Sequence, residues 1–153
     1  MKHFINKPLM TIARRWGFSA LCFVVLACTA TKPTVSNSGL YEILVKETDG
    51  GGNIQFYEIL STEQEVGMLS NDERLSRKVL PSEAKTSTFL VLNMGEKPSG
   101  GHSLDIESVL EIPERIIVTV KEIAPEPGSM TTMQITYPYT VVRINSKKPI
   151  EIR

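Results

Sequence analysis

From residue 40 onward, hydrophobic and polar positions alternate in short runs broken by glycine and proline, a period-two pattern that predicts strands rather than helices. Between Leu40 and Glu47, Tyr41, Ile43 and Val45 fall on one side and Glu42, Leu44 and Lys46 on the other, as in a half-buried strand. Asp49-Gly50-Gly51-Gly52-Asn53 supplies the residues of a chain reversal, and Ile54 to Leu60 reads as the returning strand. The period then changes. Ser61 with Gln64, or Thr62 with Glu65, fits a capping box, and Val66 with Leu69 makes a short apolar face, so a helix starts here, weakened by Gly67. Ser70-Asn71-Asp72-Glu73 offers a second cap that would divide the region into two short turns, and Pro81 is expected to end whatever helix is present.

Thr88 to Met94 is apolar on both faces, which marks it as the central and most buried strand. A loop rich in glycine and proline follows. His102, Leu104 and Ile106 then share one face, with Ser103, Asp105 and Glu107 on the other, and Ile116, Val118 and Val120 repeat the pattern within Arg115 to Ile123. With Ile112-Pro113-Glu114 at the turn, these two runs predict a long hairpin. Ala124 to Ser129 reads as a loop, Met130 to Thr136 as another strand, and Tyr139 to Ile144 with Ile150 to Ile152 as the strands that close the sheet. The fold class expected is mainly β (α+β with one short helix): a single antiparallel, sandwich-like domain over residues 39–153.

The first residues have a different character. Lys2, Lys7, Arg14 and Arg15 precede Trp16 with no acidic residue among them, and a short apolar segment runs from Trp16 to Leu26. That is the layout of a secretory signal peptide, too short to span a bilayer. Val25-Leu26-Ala27-Cys28 resembles the bacterial lipobox, which implies cleavage before Cys28 and lipidation of its thiol. Cys22 competes poorly, since Leu21 before it is not small. Residues 1–27 are therefore expected to be a lipoprotein signal peptide and residues 28–38, mostly Thr, Ser, Asn and Lys, a flexible tether. The expected location is the cell envelope, and Thr29 in place of Asp after Cys28 points to the outer membrane if the cell has one.

Charge and chemistry narrow the function. The whole chain carries 17 basic and 17 acidic residues, but removing the leader takes four basic residues and no acidic ones, leaving a mildly acidic domain. Nucleic acid is thus an unexpected partner. His102 is the one histidine beyond the leader, with Ser99, Ser103 and Asp105 near it in sequence. Neighbouring strand side chains point to opposite faces, so a local triad is excluded and a packing role for His102 is expected. No spacing suggests a metal site, a phosphate loop or a dinucleotide fingerprint. No cofactor and no catalytic residue is assigned, and the protein is read as a non-enzyme.

What remains is the loop Asn93-Met94-Gly95-Glu96-Lys97-Pro98-Ser99-Gly100-Gly101-His102-Ser103. The order of three motifs, an apolar strand running into Met94-Gly95-Glu96-Lys97-Pro98-Ser99-Gly100-Gly101, then Pro125-Glu126-Pro127-Gly128, then Thr136-Tyr137-Pro138-Tyr139, resembles the C-terminal domain of the PrcB family of bacterial protease-complex subunits over residues 89–152. One departure is His102, where the family usually has an aromatic residue, most often Tyr, after the glycine pair. The resemblance implies an exported accessory lipoprotein that binds and stabilises a secreted or surface protease. Lys97, Pro98, Ser99, Gly100, Gly101 and His102, with the Thr136, Pro138 and Tyr139 corner, are the expected partner contacts. The same loop is loosely similar to the Pro-Thr-Thr-Gly-Tyr loop of chagasin-type cysteine-protease inhibitors, which makes inhibition the alternative function.

Overall fold

The structure, a computed structural model, describes residues 39–153. The signal peptide, Cys28 and the tether lie outside the described residues. Seven strands follow in order: β1 (Tyr41–Glu47), β2 (Gln55–Leu60), β3 (Thr88–Met94), β4 (Ser103–Glu111), β5 (Ile116–Ile123), β6 (Tyr139–Ile144) and β7 (Ile150–Ile152). Between β2 and β3 lie the helix α1 (Glu63–Leu69) and a 3-10 helix, Pro81–Lys85. The domain is mainly β, as its alternation predicts.

The strands form two sheets, a four-stranded one in the order β1-β6-β3-β2 and a three-stranded one in the order β4-β5-β7. All pairings are antiparallel except β5 with β7, which is parallel. Apolar side chains collect on both faces of the four-stranded sheet. On one face Phe89, Val141 and Tyr139 pack with Leu60 of β2 and with Val66, Leu75 and Val79 of the helical layer. On the other, Leu90, Leu92, Met94, Val142 and Ile144 pack with Leu104, Val109, Ile116 and Val118 of the second sheet. This three-layer arrangement explains why β3 is apolar on both faces: successive residues feed two different cores, and Phe89, Leu90 and Leu92 are wholly buried. Each such side chain contributes about 1.5–3 kcal/mol relative to exposure. Thr140, also wholly buried, is satisfied by donating from Oγ1 to the Leu104 carbonyl at 2.9 Å, which ties the two sheets together.

Four expectations are corrected. The strands flanking Asp49–Asn53 do not form a hairpin. β1 pairs with β6 and β2 with β3, so they occupy opposite edges of one sheet and the loop crosses its end. β6 is not a closing strand but an internal one, because its alternate residues also serve both cores, and β7 joins the other sheet. Met130 to Thr136 forms no strand; its one ladder contact is an isolated bridge from Thr136 to Lys97. Pro81 opens the 3-10 helix at its first turn, where its missing N–H costs nothing, rather than ending a helix.

Two β-bulges alter the expected faces. In β1 the register shifts between Ile43 and Val45, which turns both Leu44 and Val45 into the helical-side core and separates Val45 from Ile43. In β4 a shift between Ile106 and Ser108 brings Val109 rather than Ser108 inward. Of the two capping boxes offered by the sequence, α1 uses Thr62 with Glu65. The Glu65 carboxylate accepts the amides of Ser61 and Thr62 at 2.9 and 3.0 Å, which holds it below the ordinary carboxylate range.

Candidate functional site

The start of β2, the end of β3 and the start of β6 meet at one end of the four-stranded sheet, and the three loops there are bound to one another by main-chain hydrogen bonds. Lys97 and Thr136 exchange N–H···O bonds of 2.9 and 3.0 Å. Thr136 Oγ1 donates to the Ser99 carbonyl at 2.9 Å, and the Gly100 N–H donates to the Thr132 carbonyl at 3.1 Å. Gly51 donates to the Tyr137 carbonyl at 2.9 Å, and Glu96 to the Asn53 carbonyl at 3.2 Å. The two segments singled out in the sequence, 97–102 and 136–139, are therefore brought together.

Their side chains divide into inward and outward groups. Thr136, Pro138 and Tyr139 are buried, so that corner is part of the scaffold rather than its contact face. The Tyr139 hydroxyl accepts from Arg74 Nη1 at 3.0 Å, and burial pushes its phenol up. Gly101 adopts φ +88°, and a side chain there would press on Pro125; one at Gly100 would collide with the Thr132 hydroxyl. Both glycines thus serve a close approach within the molecule. Lys97, Ser99 and His102 are half-buried and Pro98 is exposed. His102 precedes β4, and its buried Nδ1 makes no hydrogen bond among the described residues.

Several residues of this end were not anticipated. Met130 and Met133 are fully exposed and Ile135 is half-exposed, so the pinned loop offers apolar side chains to solvent. Their spacing of three and then two residues, incompatible with a strand face, was the available signal. Asn93 is 1% exposed, and its Nδ2 donates to the carbonyls of Gly52 and Ile54 at 3.0 and 2.6 Å. A polar residue inside a run of Phe, Leu, Val and Met marks it in the sequence.

A groove adjoins this end. The registers Phe56↔Asn93 and Asn93↔Tyr139 lay these three side chains in a row across the sheet. Together with Val91 and Val141 they floor a cavity of about 280 Å³, walled by Met68 and Leu69 of α1 and rimmed by Gly50 to Gly52. That volume lies just below the usual range of about 300–1,000 Å³ for small-molecule sites and suits a side chain better than a cofactor. Among the described residues, no three His, Cys, Asp or Glu side chains converge as a metal site would require.

The loops and the two internal strands lie within the part of the chain that has known relatives. Residues 88–145 match the PrcB C-terminal family. This PrcB-type segment runs from β3 through β6 and includes both pinned loops. The chain is also similar to an uncharacterized protein of Methanocaldococcus jannaschii, 30% identical over 66 residues, which cover 43% of this chain and 40% of that protein. The chain therefore spans well under two thirds of the length of that relative. No solved structure matches it.

Proposed function

We propose that the protein is an exported, lipid-anchored accessory subunit that works by contact, using the pinned loop end to hold a protein partner, and that this partner is a secreted or surface protease. The observation that carries this reading is the exposure of Met130 and Met133 on a loop fixed to the sheet by the Lys97–Thr136 bridge. Large apolar side chains held in solvent on a rigid scaffold are the signature of a docking face. The protease comes from the PrcB match and the anchor from the lipobox at Cys28.

The loop geometry favours this reading over cleft-plugging inhibition. Gly100 and Gly101 are turned against Thr132 and Pro125 of the same chain, whereas an inhibitory loop has to project into its target. Capture of companions from native membranes, comparing the natural chain with a Met130→Asp, Met133→Asp variant, tests the site. Both side chains are fully exposed, so the variant should melt within roughly 0.5 kcal/mol of the natural protein while losing its companion. Recovery of the same companion by both chains would refute the docking face. Titration against a papain-like protease separates the alternatives: unaffected cleavage with a longer protease lifetime supports the accessory role, and a stoichiometric block supports inhibition. For the anchor, Cys28→Ala should abolish incorporation of labelled fatty acid, and continued labelling would refute it.

A further inference from the structure

The four edges of the two sheets are not alike. β1 carries a bulge at Ile43 and Val45, β4 carries one between Ile106 and Ser108, and β7 is only three residues long. Bulges and short length are devices that keep a foreign strand from pairing at an edge. β2 has neither. Its register with β3 is unbroken from Gln55↔Met94 to Leu60↔Phe89, and it contains no proline and no lysine. β3 is its one ladder partner, so the outward N–H and C=O groups of alternate β2 residues have no backbone partner among the described residues. Phe56 and Ile59, on opposite faces of the strand, are 42% and 41% exposed.

Charge specifies what could lie there. Seven acidic residues and no basic one occur from Glu47 to Glu73, a stretch that holds β2, the loop before it and α1. Glu58 stands in the middle of β2, exposed, and takes part in no ion pair among the described residues.

We propose that β2 is a docking edge that accepts an extended segment of a partner protein as a fifth strand of the four-stranded sheet, a segment alternating apolar side chains with Lys or Arg. Main-chain hydrogen bonds to the outward groups of β2 supply sequence-independent affinity, and side chains at alternate positions supply selectivity. On the α1 side, an apolar side chain of the incoming strand lies beside Phe56 and Met68 at the groove, and a cation meets Glu58. A second copy of this chain is a poor occupant, because pairing β2 with β2 would bring two unpaired Glu58 side chains to one edge with no Lys or Arg in either strand. This surface is distinct from the loop end, and the proposal stands whether or not the loop end binds.

Panning a phage-displayed library of random peptides on the full chain tests it. The peptides recovered should alternate apolar residues with Lys or Arg and should protect the outward amides of β2 from hydrogen exchange. Replacing Glu58→Lys, an exposed position whose variant keeps its melting temperature, should weaken them roughly tenfold or more, as should N-methylation of alternate peptide amides. Recovery of no peptide, or of peptides indifferent to both changes, would overturn the proposal. So would a dimer of the chain itself that Ile59→Lys dissociates. Loss of companion capture in the Met130 and Met133 variant with peptide binding intact would separate this surface from the loop end.

Discussion

The same substitution, glycine to alanine, should have opposite signs at two positions of this fold. Gly67 lies inside α1, and a Cβ there would meet only Pro81 Cγ, at 3.7 Å, an ordinary contact. Gly67→Ala should therefore gain the helix-propensity difference of about 0.8–1 kcal/mol. Gly51 is not held at positive φ, so backbone strain is no obstacle to a side chain. Space is the obstacle: its Cβ would fall 2.8 Å from the Tyr137 carbonyl oxygen and closer still to Asn93 Oδ1. Neither can step aside, since Tyr137 O accepts the Gly51 amide at 2.9 Å and Asn93 is fixed by its own two bonds. Overpacking of this kind costs about 1–3 kcal/mol. For a domain of this size a kcal/mol moves the melting temperature by roughly 4 °C. Thermal and urea unfolding should then place Gly67→Ala a few degrees above the natural protein and Gly51→Ala several degrees below it. If both variants are stabilised, the entropy of the unfolded chain sets the sign at both sites, and the close approach at Gly51 is not what the loop depends on.

Asn93→Ala should destabilise by about 1–3 kcal/mol, because it removes two hydrogen bonds, to the Gly52 and Ile54 carbonyls, each contributing about 0.5–1.5 kcal/mol, and should speed hydrogen exchange in residues 50–54 before any other loop. A uniform change in exchange would argue against a local role. On the acid side, Glu65 is held below its ordinary value by the Ser61 and Thr62 amides, and Asp105 chiefly by the Lys46 ammonium at 2.8 Å. Groups whose folded pKa is depressed stabilise above their unfolded pKa, so this contribution should be complete above about pH 5 and fade as pH falls through the lowered folded values. Glu65→Gln should flatten that limb in a stability–pH profile, and an unchanged slope would show that the cap carboxylate does not contribute to it.

Much of the strand inventory was legible because alternation records which face is buried. The pairing was not, because alternation does not say which strand lies alongside. Asp49 to Asn53 has the composition of a hairpin turn, yet β1 and β2 end at opposite edges. The deciding clue was β6: Tyr139, Val141, Val142 and Ile144 are apolar on both faces, as β3 is, and two such strands belong side by side inside a sheet. Bulges hide for a related reason, since one extra residue in β1 or β4 leaves composition unchanged but reverses the faces beyond it. At the loop end the sequence located the segments but not their orientation. Thr136 and Tyr139 look like surface residues of a turn until the Lys97 bridge and the Arg74 bond show that they face inward.

The PrcB-type segment should not fold by itself. Residues 88–145 hold β3 to β6, but the cover of Phe89, Val141 and Tyr139 comes from Leu44, Val45, Leu60, Val66, Leu75, Val79 and Ala84, all of which precede residue 88. Stripping that layer exposes three large side chains worth together roughly 5 kcal/mol or more. It also bares both edges of the β3–β6 pair and removes β7 from β5, in a domain whose net stability is expected to be about 5–15 kcal/mol. A fragment of residues 88–145 should show no cooperative melt and poor dispersion of its amide resonances, while residues 39–153 should melt sharply. A cooperative transition in the fragment would mean that the core between the two sheets suffices. In that case β2 and the helical layer would be dispensable for folding, and the unbroken edge of β2 would be left with partner contact as its main physical use.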